Sequence, residues 1–404
     1  MALAGLKVLD LSRILAGPYA AQTFADLGAD VVKVETPHGG DDTRKWGPPF
    51  MQNADGSRDD ATYFSACNRN KRSVSIDFST DEGAGLVRDL AAKADILVEN
   101  FRPGSLAKYG LDYATIAALN PGIIYCSITG FGQTGPYAHR SGYDFLIQGM
   151  GGLMSITGLP DGAPGGGPVK VGVAVCDLFT GMFAANAALA ALAYRAQTGR
   201  GQHIDCALLD SQIAMLANQS ANWLNAEVCP GRMGNSHPSV VPYTVYKAAD
   251  GFVIVACGND RQFVRLTAAL GCPALADDPA FSTNEARILN RDRLDRHLGD
   301  IIAGMDRRTV ITTLESAEVS CGPINSIAEM FNDPHVIARG ARVDQQRADG
   351  GVVSSTAYAA RLGVTPAQYR RPPPRLGEHN AEVLQEWAGL SEDRLAALSE
   401  GGVI

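Results

Sequence analysis

Residues 6–35 read LKVLDLSRILAGPYAAQTFADLGADVVKVE, and this stretch decides the fold class. Leu6–Leu11 is a short apolar run suited to a buried strand. Gly17-Pro18 opens a helix, because proline is tolerated in a first helical turn. The helix runs through Asp26, and Gly28 closes it. Ala29–Glu35 is a second strand. A strand–helix–strand unit of this kind predicts a parallel sheet with helices on its faces. Val74–Phe78, Ile96–Val98 and Ile123–Ile128 continue the strand series, and Asp81–Ala94 is a helix opened by Thr80 or Asp81.

After Asp210 the pattern changes. Ser211–Asn225 is helical, and Pro230–Pro242 is rich in proline and glycine. Tyr243–Cys257 (YTVYKAADGFVIVAC) alternates apolar residues around an Ala-Asp-Gly turn, a hairpin signal. Asp260–Ala317 is a run of helical patterns with many arginines, so this region is a small α+β domain. Strand-like pieces return from Val343. Pro372–His379 is extended and leads into a helix over Asn380–Trp387.

Composition narrows the function. The 404 residues are 46% hydrophobic and 19% charged, ample for a core. A net charge of −8 argues against a nucleic-acid or anionic-membrane partner, while a local basic cluster can still hold phosphate. The cysteines at 67, 126, 176, 206, 229, 257, 272 and 321 form no CxxC pair and no Cys/His cluster with zinc spacing, so no metal is expected. The start, MALAGLKVLDLS, runs straight into a strand pattern with no leader, and no apolar run reaches the ~20 residues that span a bilayer. A soluble, cytoplasmic protein is expected. The turn SRILAGPYAAQ lacks the glycine spacing of a dinucleotide fingerprint, so NAD is not expected either.

The chemistry centres on Asp177. Val171–Cys176 is small and apolar, as a buried strand would be, and Phe179–Arg195 is rich in Ala and Leu, as a helix would be. An acid between two such elements either caps the helix or is a carboxylate made reactive by partial withdrawal from water. Arg13 is a solvated loop residue or an anion contact. Asn68–Ser73 (NRNKRS) places three cations in four residues before a strand, a solvated loop or a phosphate site. Asn100-Phe101-Arg102 follows a strand end, where ligands bind in parallel sheets; Phe101 could face a purine. Gly165–Gly167 is a connection or a mobile flap, and His237 is surface or a base. No serine-nucleophile elbow or Cys-His-Asn order stands out.

Several segments together carry a family pattern: residues 6–35, NRNKRSVSIDF, ADILVENFRPG, YCSITGFGQTGPY, GYDFLIQGMGGLMSITG, CDLFTG and TGRGQHIDCALLD. They resemble the family III CoA-transferases over essentially the whole chain, the group that includes formyl-CoA transferase, carnitine CoA-transferase and alpha-methylacyl-CoA racemase. The resemblance implies a large Rossmann-like α/β domain built from both chain ends plus a small α+β domain, in an interlocked homodimer. The expected segments are 1–210 for the first part of the large domain, 211–229 for a linker helix, 230–318 for the small domain, and 319–404 for the return. Asp177 matches the family's catalytic aspartate. Arg13, Ile14, Leu15, Ala16, Asn70, Lys71, Arg72, Ile76, Asn100, Phe101, Arg102, Lys108, His139 and Arg140 match regions that hold CoA.

The departures from the pattern set the expected substrate. Leu15 and Thr36 stand where formyl-CoA transferase has a glutamine and an arginine, and its four-glycine flap has no counterpart, which argues against formate or oxalate. Tyr143, in Gly142-Tyr143-Asp144, stands where the racemase branch has histidine. A tyrosine with a pKa of about 10 is a poor base at neutral pH, so transfer is favoured over racemisation. RMGNSHPSVVPYTVYKAADGFVIVACGNDRQF, CGPINSIAEMFNDPHV and RPPPRLGEH resemble the succinyl-CoA–glutarate branch and related bacterial enzymes for itaconate and other C4–C6 dicarboxylates, which implies a small dicarboxylic acid such as glutarate or itaconate as acceptor. A dicarboxylate's second carboxylate needs cations or N–H donors, for which Arg232, Gly234, Asn235, Ser236 and His237 are the candidates, and Tyr143 is a further candidate substrate contact. CoA thioesters are the expected substrates. The rival from another class is a CoA-binding protein without catalysis.

Overall fold

Strand order explains where a ligand can bind. In the computed structural model, which describes all 404 residues, β1 (Lys7–Asp10), α1 (Ala16–Asp26) and β2 (Asp30–Glu35) form the opening unit read from the sequence. Then follow β3 (Lys71–Ser75), α2 (Asp81–Lys93), β4 (Ile96–Glu99), β5 (Ile124–Thr129), α3 (Asp144–Met150), α4 (Val175–Thr198), β6 (Gln202–Ala207) and α5 (Leu208–Met215). The six strands pair in parallel in the order β3-β2-β1-β4-β5-β6. The order reverses between β1 and β4, and in open parallel sheets the crevice beyond the strand ends at such a reversal is where ligands bind.

Two apolar layers cover the sheet. On one face Leu9, Val32, Val74 and Leu97 pack against Leu86, Val87 and Leu90 of α2, together with Val383, Leu384 and Trp387. On the other, Val8, Val31, Ile96 and Ile124 pack against Phe24 of α1 and Ala184, Ala185 and Ala188 of α4. Both faces are buried, so the strands read as apolar runs rather than alternating ones.

The chain divides into two compact units. One comprises residues 1–154, 170–229 and 337–404, and the other 155–169 and 230–336. These bounds differ from the expected segments: 211–229 lies with the large unit, 155–169 with the small one, and the small unit continues to 336. The small unit contains β7 (Tyr243–Ala248), β8 (Gly251–Ala256), α6 (Asp260–Ala269), α7 (Arg291–Ala303), α8 (Arg307–Ser316) and β9 (Ser320–Pro323). It reaches past 318 because β9 pairs with β8 as a third antiparallel strand. Back in the large unit, a hairpin over Arg342–Gln346 and Val352–Thr356 precedes α9 (Asn380–Ala388) and α10 (Glu392–Glu400).

Several local readings change. Val171–Cys176 is not a strand: α4 begins at Val175, after a bend. Side chains of α3, rather than a neighbouring strand, bond the backbone at both ends of this segment. β3 starts three residues before Val74, with Lys71 opposite Val31 and Arg72 opposite Val32. The helix read over Ser211–Asn225 breaks at Ala217, where φ is +43°. Finally, α4 is long and apolar enough to cross a membrane by length and composition, which the sequence reading had not recognised. Core helices pass the same test, and Ala184, Ala185, Ala188 and Ala191 of α4 are buried in the protein.

Candidate active site

The turn after β1 lies at the strand-order reversal and is tied down along its backbone. Asp10 Oδ1 accepts from Ser12 N–H at 3.0 Å. Lys33 Nζ donates to the Ser12 carbonyl at 2.7 Å. Asn100, just past β4, accepts from Arg13 N–H at 2.8 Å and donates to the Arg13 carbonyl at 2.6 Å. Asp41 accepts from Ile14 N–H at 3.2 Å. Ile14 sits at φ +72°, a region a β-branched residue rarely occupies, and such backbone persists only when its surroundings over-determine it. Leu15 and Ala16 follow, both buried at the start of α1.

The wall beside this turn is aromatic and basic. Phe101 meets Phe78 edge to face at 5.8 Å, and Phe78 meets Tyr109 at 5.5 Å. The Arg13 guanidinium lies 5.3 Å from the Phe101 ring centre, and the Lys108 ammonium 4.6 Å from that of Tyr109. Arg102 donates to the Ser141 hydroxyl at 2.8 Å. Arg140 lies over Tyr137 at 4.5 Å, and His139 beside it is exposed. Exposed cations over aromatic faces offer stacking together with charge complementary to phosphate. Glu99, at the end of β4, is buried and accepts from Phe101 N–H at 2.8 Å; burial pushes its carboxyl up to about 7.

Asn70, Lys71, Arg72 and Ile76 lie elsewhere, inside the protein. Asn70 donates to Asp26 and to the Gln368 carbonyl. Lys71 Nζ donates to Asp10 at 2.9 Å, the Pro18 carbonyl at 2.9 Å and Asn68 at 2.8 Å. Arg72 pairs with Asp30, Glu382 and Glu386. Their charges are neutralised within the fold. Lys71 nevertheless reaches the β1 turn through Asp10 and Pro18.

Asp177 lies in the first turn of α4 and does not cap it. The cap position is Ala174, whose side chain can accept nothing. A carboxylate from α3 supplies the missing acceptor: Asp144 Oδ1 accepts from Cys176 N–H at 2.8 Å. Asp177 itself is partly exposed, so a substrate can reach it, yet protein surrounds most of it. Burial first, and the negative Asp144 second, push its carboxyl up to about 7. Tyr63 stands nearby; burial and then the Asp177 charge push its phenol up to about 12. Trp46 packs edge-on against Tyr63 at 5.5 Å. Sequence reasoning passed over Asp144, Tyr63 and Trp46 as members of the site; the one available signal was the acid of Gly142-Tyr143-Asp144.

Gly181 lies inside α4, where its N–H belongs to the helical ladder and is not free to stabilise an oxyanion. It serves packing instead: a Cβ there would stand 2.6 Å from the Ala16 carbonyl oxygen. Tyr143 precedes α3 and is 68% exposed.

The dicarboxylate candidates lie in the small unit. Arg232 pairs with Asp161 and donates to the Leu159 carbonyl at 3.3 Å. Gly234 N–H donates to the Gly158 carbonyl at 2.9 Å. Arg232 thereby holds the segment that carries Gly165–Gly167. Asn235 is exposed; Ser236 Oγ lies 3.4 Å from Thr244 Oγ1; His237 Nδ1 accepts from Ser239 N–H at 3.1 Å.

The chain as a whole has counterparts among known proteins. The family model described as CoA-transferase family III matches residues 3–380. An Agrobacterium fabrum protein named succinate–glutarate CoA-transferase is 52% identical over 384 residues, covering 95% of each chain. The Homo sapiens protein named succinyl-CoA:glutarate CoA-transferase is 40% identical over 402 residues, covering 100% of this chain and 90% of the human one. A solved CAIB/BAIF family protein from Brucella suis aligns with a TM-score of 0.85 at 49% identity, over 95% of this chain and 99% of that one.

Proposed function

The chain belongs to CoA-transferase family III, and we propose that it moves CoA from succinyl-CoA to glutarate with Asp177 as the covalent carrier. The names of the relatives support the two acids. The observation that carries the role of Asp177 is its setting: a reachable carboxylate, largely desolvated, whose charged neighbour is another acid. Such a carboxylate is poorly stabilised by its surroundings and therefore reactive toward a carbonyl.

An Asp177 oxygen attacks the thioester carbonyl of succinyl-CoA. The tetrahedral intermediate collapses to a mixed anhydride and expels CoA thiolate. The thiolate attacks the aspartyl carbonyl, which leaves an aspartyl-CoA thioester and free succinate. The glutarate carboxylate then attacks that thioester, CoA thiolate leaves again, and its attack on the glutaryl carbonyl releases glutaryl-CoA and restores Asp177. One thioester replaces another, so no nucleotide need be hydrolysed. Water must be excluded while the acyl-enzyme exists. The tied turn at Ser12–Leu15 and the basic aromatic wall at Phe101–Tyr109 would hold the CoA portion.

The test is intact-protein mass spectrometry after mixing with succinyl-CoA, followed by glutarate, itaconate or malate, with free acyl-CoA products monitored. A CoA adduct mapping to Asp177 and discharged fastest by glutarate is expected. No adduct and no exchange with any acid would sink the reading. We further propose a homodimer: Phe179, Met182 and Phe183 on α4 and Phe145, Leu146 and Met150 on α3 leave a broad exposed apolar surface, of the kind a partner subunit covers. Light scattering should give twice the 42.6 kDa chain mass; a monomer at micromolar concentration would refute it.

A further inference from the structure

We propose that Asp144 and Gln148 form a clamp that positions Asp177, holding the segment before α4 at both ends from a single turn of α3. The proposal rests on the reading of Asp177 as the nucleophile. Asp144 Oδ1 accepts from Cys176 N–H at 2.8 Å. Asp144 Oδ2 accepts from Gln148 Nε2 at 2.7 Å. Gln148 Oε1 accepts from Val171 N–H at 2.8 Å. Three consecutive hydrogen bonds thus run from one end of Val171–Cys176 to the other, and the next residue is Asp177.

The surroundings make this more than a helix cap. The segment belongs to no strand, so backbone pairing in the sheet does not fix its path. Gln148 is wholly buried, and a buried amide with both ends bonded has one orientation. Asp144 and Gln148 stand four residues apart on α3, and therefore on one face. The negative charge of Asp144 opposes ionisation of Asp177. One side chain therefore sets both where the nucleophile stands and how tightly it holds a proton.

The order of donors and acceptors gives a test that separates position from charge. In Asp144→Asn, the new amide oxygen can still accept from Cys176 N–H, but its NH₂ faces the NH₂ of Gln148. Adding Gln148→Glu repairs the chain: the introduced amide donates to the introduced carboxylate, which accepts from Val171 N–H as the glutamine oxygen did. Asp144→Asn is expected to lower kcat on the order of 10–100-fold, the scale of a misplaced reacting group, with KM for succinyl-CoA little changed. The acid limb of its rate profile should move to lower pH. The D144N/Q148E protein should recover most of kcat. A folded D144N protein with wild-type kcat and pH profile would overturn the clamp, as would a folded double variant no faster than D144N. An NMR titration of the Asp177 carboxyl gives a readout independent of turnover: D144N should lower its midpoint, and an unmoved midpoint counts against the clamp. Absence of exchange in the wild-type protein would instead strike the assignment of Asp177 as nucleophile.

Discussion

Replacing Asp177 with Asn will abolish the CoA adduct and lower exchange by ~10⁴-fold or more, the scale on which enzymes lose rate when a covalent nucleophile is removed. CoA thioester binding should survive, because the crevice residues Arg13, Asn100 and Phe101 are untouched. The same substitution should stabilise the protein above neutral pH, and the sign follows from the raised carboxyl. In the unfolded chain Asp177 loses its proton near pH 3.8, and in the fold near 7. Between those values the folded state binds the proton more tightly, so stability falls as pH rises and is lowest above 7. Asn carries no charge and escapes that loss, a gain on the order of 2 kcal/mol once solvent at the partly exposed side chain is allowed for. For the wild type, the active form is the carboxylate, so kcat/KM should rise with pH to a plateau above about 7. Thermal melts at pH 5.5 and 8.5 check the first claim, and rates over the same range the second. A variant that keeps turnover, or that is less stable at pH 8.5 than the wild type, contradicts the assignment.

The fold was more legible than the site, for physical reasons. Residues 6–35 declare themselves because two buried strands and a capped helix are each local patterns. β3 was read three residues late because Lys71 and Arg72 look like surface residues; their partners Asp10, Asp30 and Glu386 are distant in sequence, and no local pattern reveals them. Val171–Cys176 misled in the opposite sense. Its composition suits a strand, but its backbone is satisfied by the side chains of Asp144 and Gln148. β6 (QHIDCA) lay inside a quoted motif yet was not read as a strand, since only its last two residues are buried. Asp177 stood out by position, but position alone left a helix cap and a reactive carboxylate both open. The family resemblance turned that reading toward catalysis, and the structure then assigned the capping contact to Asp144.

Lys71→Met should be the most destabilising single change in the large unit among the residues discussed, by ~3–5 kcal/mol, the loss expected when one member of a buried ion pair is removed. Lys71 is fully buried, and burial pulls its ammonium down despite the attraction of Asp10. Met fills much of the same volume but donates nothing. The Pro18 carbonyl and the Asn68 amide oxygen lose a donor, and Asp10 is left with Ser12 and the nearby charge of Lys33. The effect should extend to function, because Asp10 bonds Ser12 N–H and Lys71 anchors Pro18, on either side of the strained Ile14. With that turn loosened, KM for succinyl-CoA should rise further than kcat falls, the reverse of the pattern expected for Asp144→Asn. Adding Asp10→Asn removes the uncompensated charge and should recover part of the stability, since replacing both members of a buried pair is far milder than removing one. Urea unfolding of the single and double variants, beside KM for succinyl-CoA, decides the matter. A single variant within about 1 kcal/mol of wild type, or a double variant worse than the single one, would mean that the buried charges do not hold the binding turn.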